Sequence, residues 1–150
     1  MIDWSSVFDE AYPVAGAPPS DLERLVAEVG RPLPPSYLSL LSWSDGGEFR
    51  TGGRWFQFFP ALDPGHGVLA MSEAYGLPRF MPQALPLAFN GGGTFYLLDM
   101  RGPAAGGEYP VVCSHAGNLG WSAEECVRVA GSFPEACRGT IDVDELRRTA

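Results

Sequence analysis

Cys113 and His115 stand one residue apart in "YPVVCSH", and Asp99 closes the apolar run before it. A thiol, an imidazole and a carboxylate are the parts of an activated nucleophile. Ser114 with His66 offers the hydroxyl version of the same idea. Neither set comes with a local frame, since no GxSxG elbow is present to hold a serine at a strand-to-helix turn. Cys113, Cys126 and Cys137 could bind metal as thiolates, but none of them pairs with another, or with His66, at a ligand-pair spacing. The third chemistry is phosphate binding by Gly91–Gly93 in "LPLAFNGGGTFYLLDM". A glycine turn cradles phosphate when it opens into a helix, whose N–H groups and dipole face the anion. Here it opens into "TFYLLDM", which is aromatic and strand-like, and no GK[ST] follows. The residues therefore predict no catalytic group, no metal and no cofactor. A small hydrolase or metal protein built on Cys113, His115 and Asp99 is the alternative that stoichiometric zinc would revive.

The remaining charged and aromatic residues divide by explanation. Asp21, Glu23, Glu124, Glu125 and Glu135 fall near helix starts, where the dipole stabilises negative charge. Asp45 fits a turn before two glycines, and Asp99 ends a strand, placed to accept hydrogen bonds from a loop. Glu48, Asp63, Glu73 and Glu108 have no such account, which makes them candidates for a partner-facing surface. Trp43 and Trp55 flank loops; aromatic packing favours the core for both, and Trp55 is the candidate anchor.

The elements that must position these residues belong to one domain. The chain has 150 residues, 45% hydrophobic, enough for a real core. Net charge is −8 and all ten basic residues are arginine, a balance that repels nucleic-acid backbones and suits a basic protein partner. No run of about 20 apolar residues occurs, and the start "MIDWSSVFDEAYP" lacks the basic and apolar parts of a secretory signal. Three cysteines without a CxxC pair fit reduced, buried thiols in the cytoplasm.

Residues 1–19 lack periodicity and read as a loose lead-in, pinned by Trp4 and Phe8. Residues 20–138 form the core, and 139–150 a C-terminal tail. In "SDLERLVAEVG", Ser20 and Glu23 have capping-box spacing, Leu22, Leu25, Val26 and Val29 share one helix face, and Gly30 ends the helix. Pro35 opens a second helix that Gly46 and Gly47 stop. Strands are expected at "EFR" and "RWFQFF" about the Thr51–Gly53 turn, at Leu85–Ala88 and Thr94–Asp99 about the glycine run, and at "YPVVCSH". The pair Asn90–Gly91 suggests a tight hairpin with both residues at positive φ. "HGVLAMSEAYG" reads as a short helix, "RFMPQA" as loop, and 102–108 as a flexible connection. "SAEECVRVA" fits a helix or a strand, while "SFPEACRG" is a short helix with its own capping box, Ser132 and Glu135. "DVDELRR" adds a final turn. The order predicts a single α+β domain: an N-terminal helix pair and a C-terminal short helix packed on a mainly antiparallel sheet.

Three segments, in order, resemble the SUKH superfamily, which includes bacterial toxin-immunity proteins and the fungal cell-wall assembly regulator. They are "LERLVAEVGRPLPPSYLSLLSWSDGG", "LPLAFNGGGTFYLLDM", and "YPVVCSH" followed by "VAGSFPEAC". The matching structural positions are Pro34, Tyr37, Gly46, Gly92, Gly93, Asp99 and Phe133. Ser44–Asp45 departs from the Asn common before the glycine, and 60–84 matches poorly. The resemblance implies an α+β binding protein without catalysis or cofactor. Its implied partner is a cognate toxin, such as a basic nuclease domain, neutralised in the cytoplasm without contact to nucleic acid or membrane. The family's fungal branch implies a regulatory or scaffold module as the alternative. On this view Gly92→Val harms folding rather than chemistry.

Overall fold

The computed structural model describes residues 1–149. Seven strands form one antiparallel sheet in which chain order and spatial order coincide. They are β1 (Glu10–Tyr12), β2 (Gly47–Thr51), β3 (Arg54–Phe58), β4 (Ala84–Phe89), β5 (Thr94–Asp99), β6 (Val111–His115) and β7 (Val127–Ala130). The helices are α1 (Pro19–Val29), α2 (Pro35–Trp43), α3 (Val68–Ala74), α4 (Leu77–Phe80), α5 (Phe133–Arg138) and α6 (Val143–Thr149). The chain is thus the expected single α+β domain. No helix among the described residues is long and apolar enough to cross a membrane.

Strand residues alternate between two faces. Phe49 pairs with Phe56, and the row Phe58, Ala88, Tyr96, Cys113, Val127 runs across the same face. Phe56 stacks on Tyr96 at 4.5 Å between ring centroids. Phe133 of α5 packs on Phe58 at 5.9 Å and on Tyr37 of α2 at 5.3 Å, so α2 and α5 cover this face. On the opposite face Phe89 and Phe95 are met edge-on by Tyr75, at the end of α3, at 5.6 and 5.1 Å. Over β1 and β2 that face is exposed, at Glu10, Tyr12, Glu48 and Arg50.

Several local expectations change. The lead-in is part of the sheet: Trp4 and Phe8 are buried, Trp4 Nε1 donates to Ser39 Oγ at 2.8 Å, and β1 pairs with β2. A strand of three residues, all exposed, leaves no alternation to read. Helix α1 has no Ser20 cap; it begins at Pro19, and proline in the first turn has no N–H to satisfy. Helix α2 ends at Trp43 with Ser44 as its cap residue, and Gly46 and Gly47 turn the chain into β2. The "RFMPQA" loop is helical as far as Phe80. The connection 102–108 closes on itself through an Ala105–Glu108 bridge. In the ambiguous stretch, Val127–Ala130 is strand. The Ser132 cap forms as expected, its side chain accepting from Glu135 N. The C-terminal tail is docked as α6, with Val143 fully buried.

The glycine loop joins β4 to β5, yet Asn90 does not supply a positive φ. Its side-chain Oδ1 accepts from Gly92 N and Thr94 N at 2.9 and 3.0 Å, and its Nδ2 donates to Asp144 Oδ2 at 2.8 Å. The left-handed residues are Gly91 and Gly93, at φ 88 and 87. Gly92 lies outside that region, and a Cβ there would meet nothing nearer than 3.4 Å. The folding constraint therefore sits on Gly91 and Gly93, not on Gly92 as the sequence suggests.

Two polar clasps hold the C-terminal helices. Thr94 Oγ1 and Arg147 donate to Asp144 Oδ1 at 2.6 and 3.3 Å, tying α6 to the loop. Buried Arg54 donates from Nε to Ile141 O and from Nη1 to Ala136 O, both at 2.8 Å, and Thr51 Oγ1 donates to Cys137 O at 2.9 Å. Ala136 and Cys137 are among the last carbonyls of α5, which no helical N–H can reach. Burial lowers the Arg54 pKa, with nearby Tyr96, Cys137, Cys113 and Asp142 acting in the opposite sense.

Candidate functional site

The thiol, imidazole and carboxylate do not meet. His115 pairs with Thr94 at the start of β5, while Asp99 ends that strand. Five residue steps along the strand separate Thr94 from Asp99, about 16 Å. Asp99 instead accepts from the Arg101 backbone and side chain at 3.0–3.1 Å. Partial burial acts to raise its pKa, and these bonds outweigh it, leaving the carboxyl below the usual range. Arg101 in turn lies over the Trp121 ring at 3.8 Å. Cys113 is fully buried, and burial pushes its pKa up to about 12, the reverse of an activated nucleophile. Ser114 is buried with its hydroxyl donated to Glu125 O at 2.8 Å, and His66 sits in the exposed turn after β3. No group of three or more His, Cys, Asp or Glu side chains is placed to hold a metal ion among the described residues.

The feature left by the fold is the face of β1–β3 on which Glu10, Tyr12, Glu48 and Arg50 are exposed and Trp55 and Gln57 half-buried. Tyr12, Glu48 and Gln57 form one row, continuing into Phe89; Glu10, Arg50 and Trp55 form the next. Pairing and alternation place all seven on one face, opposite the Phe49–Phe56 core. Tyr12 is 62% exposed and Tyr75, over Phe89, is 38% exposed. Trp55 is half-buried and lies against the glycine loop: a Cβ on Gly91 would come within 3.4 Å of its Cδ1. Its backbone carbonyl accepts from Tyr96 OH at 2.6 Å, which fixes the strand beneath the ring. Glu10 faces Arg50 at 3.8 Å, and Glu48 accepts from Gln57 Nε2 at 3.4 Å. The result is a face on which Tyr12, Trp55 and Phe89 are interspersed with Glu10, Glu48, Arg50 and Gln57, with neither thiol nor imidazole among the seven. Such surfaces bind other proteins: desolvated aromatics supply affinity and the charged rim supplies steering.

The five candidate partner residues separate accordingly. Glu48 and Trp55 share this face. Glu73 is exposed on α3, two residues before Tyr75. Asp63 lies apart, in the turn before α3, where its Oδ2 accepts from Gly65 N and His66 N at 3.1 and 2.7 Å. Those backbone bonds, the His66 one first, hold its carboxyl below the usual range. Glu108 is half-buried, and both oxygens are used internally: Ser36 Oγ donates at 2.5 Å and Phe133 N at 3.1 Å. It joins the start of α2 to the start of α5. Tyr12, Gln57 and Phe89 carry no local signal in the sequence, because only strand register places them beside Trp55.

Cys113 and Cys137 are buried and Cys126 half-buried, and an α+β domain of this kind with an open aromatic face has the character of a protein-interaction module. The SMI1 / KNR4 family (SUKH-1) model matches residues 16–137, most of the chain, and the chain belongs to that family. The family is generally one of non-catalytic modules of the immunity or regulator kind, which bind partner proteins. No curated protein matches the chain.

Proposed function

We propose that this chain is an immunity protein that neutralises a cognate toxin domain in the cytoplasm by binding it through the open face of β1–β3. The observation that carries the reading is Trp55, held half-exposed against the glycine loop on a face with Tyr12 and Glu48 in an SMI1 / KNR4 family domain. The net charge of −8 favours a basic partner, such as the substrate groove of a nuclease. Acidic groups steer the encounter, and aromatic burial slows dissociation. The chain needs no chemistry of its own: it excludes the toxin's substrate by occupying the groove.

The test is co-expression with the toxin-like product of a neighbouring gene, followed by calorimetry on the purified pair. Growth should be rescued and a complex recovered. Trp55→Ala should weaken that complex about 30-fold or more, the scale of a hot-spot residue. Absence of rescue and of complex overturns the pairing. A complex unaffected by both Trp55→Ala and Glu48→Arg overturns the face. Stable recovery of host regulatory proteins from native cells, with no toxin, selects the regulatory or scaffold module.

A further inference from the structure

The far side of the glycine loop carries a different surface. Gly92, His115, Asp144, Arg147 and Arg148 line a pocket of about 260 Å³. His115 lies on the face opposite Trp55, since it follows Cys113 by two residues in β6. In a chain of net charge −8, two of the ten arginines and one of the two histidines converge on one opening.

The groups are unequally occupied. Asp144 spends both oxygens on Thr94, Asn90 and Arg147, so its charge is matched by Arg147. Arg148 is exposed and makes no hydrogen bond or ion pair among the described residues. His115 Nδ1 accepts from Gly117 N at 3.0 Å, which places the proton of the neutral ring on Nε2. That Nε2 lies 3.3 Å from where a Cβ on Gly93 would stand, at the edge of the loop. Gly92 is the remaining wall. Its backbone does not require glycine, and a Cβ there would touch Asp144 Oδ2 at 3.4 Å. The missing side chain at 92 has no role in the turn, but it keeps the pocket open.

We propose that this pocket binds a small oxyanion, a carboxylate or a phosphate, between the Arg148 guanidinium and the His115 Nε2–H, over the open rim at Gly92. The contacts come from side chains. Gly92 N and Thr94 N are already held by Asn90 Oδ1, so the loop is not a backbone phosphate cradle. The proposal is independent of the toxin-binding face, which lies on the other side of the sheet.

The test is an NMR titration of the full chain at fixed pH and ionic strength with inorganic phosphate, acetate and chloride in separate arms. Saturable shifts at Gly92, Gly93 and the His115 ring with phosphate or acetate, but not chloride, are expected. Saturation by phosphate alone assigns a phosphate ligand; saturation by both assigns a carboxylate-sized site. Arg148→Ala should weaken binding about five-fold, as for one exposed ion pair. Gly92→Val should abolish binding while the melting temperature stays close to that of the parent. Shifts shared with chloride, no saturation, or binding unchanged in both variants overturns the site. Because Arg148 is exposed, its variant decides the matter even if Gly92→Val fails to fold.

Discussion

Trp55 and Phe56 are neighbours in β3 and face opposite ways. Phe56 is 1% exposed, stacked between Phe58 and Tyr96 at 5.2 and 4.5 Å. Trp55 is half-buried beside the glycine loop, on a face exposed at Glu48 and Arg50. One face of the β2–β3 hairpin thus builds the core and clasps α5, and the other is available to a partner. Because adjacent strand residues serve the two faces, stability and binding can be altered separately within five residues.

The sharpest way to break this contrast is on the core side. Phe56→Ala removes a ring held by three others, and the expected loss is about 3–5 kcal/mol in urea unfolding. A loss below about 1 kcal/mol would mean that the aromatic stack collapses around the gap, contrary to the close packing argued above. Arg54→Met comes next. The side chain keeps its bulk but leaves Ala136 O and Ile141 O without their donors. The expected cost is about 2–3 kcal/mol, since one buried carbonyl, Ala136 O, and one partly buried, Ile141 O, lose their donor. Equal stability of the parent and Arg54→Met would show that other donors satisfy the end of α5.

How much of this was legible depended on where each partner lay. The Ser132–Glu135 cap could be read because both ends of the bond lie within one turn. The hydrophobic spacing of α1 was equally local. Arg54 could not be understood this way: its acceptors are 82 and 87 residues along the chain. Glu108 looked unassigned because Ser36 is 72 residues away. Asp144 stands in the first turn of α6, a local feature, but its clasp is on Thr94, 50 residues before it. For Trp55, aromatic packing alone favours the core, and the ring is only half-buried on the outer face. Strand register chooses, since a shift by one residue exchanges the faces.

The clasp on the glycine loop should register as a pH effect of intermediate size. Partial burial works to raise the Asp144 pKa, while hydrogen bonds from Thr94, Asn90 and Arg147 outweigh it and leave the pKa lowered. A carboxyl with a depressed folded-state pKa stabilises fully above its unfolded value, about 4, and loses that contribution as pH falls through the folded value. Asp144→Asn should therefore cost about 1 kcal/mol at neutral pH, the worth of a charge-assisted bond. The gap between parent and variant should narrow below about pH 4. A gap constant from neutrality to pH 3 would mean that the bonds at Asp144 do not depend on its charge.

The smallest stability effect belongs to the open face, and there it is the most informative. Glu48 is exposed, and among the described residues its side chain accepts one long hydrogen bond, from Gln57 Nε2 at 3.4 Å. Glu48→Arg should therefore change stability by no more than about 0.5 kcal/mol, as for a surface substitution away from any clasp. Its effect on binding a basic partner should be much larger, because it reverses a charge beside Trp55 and opposes steering. Association should slow, and the slowing should fade as salt is raised. Stopped-flow rates at two ionic strengths distinguish this from a defect in packing, which would raise dissociation at both. If Glu48→Arg lowers stability as much as Arg54→Met, the face is structural after all, and the division within β3 fails at its outer side.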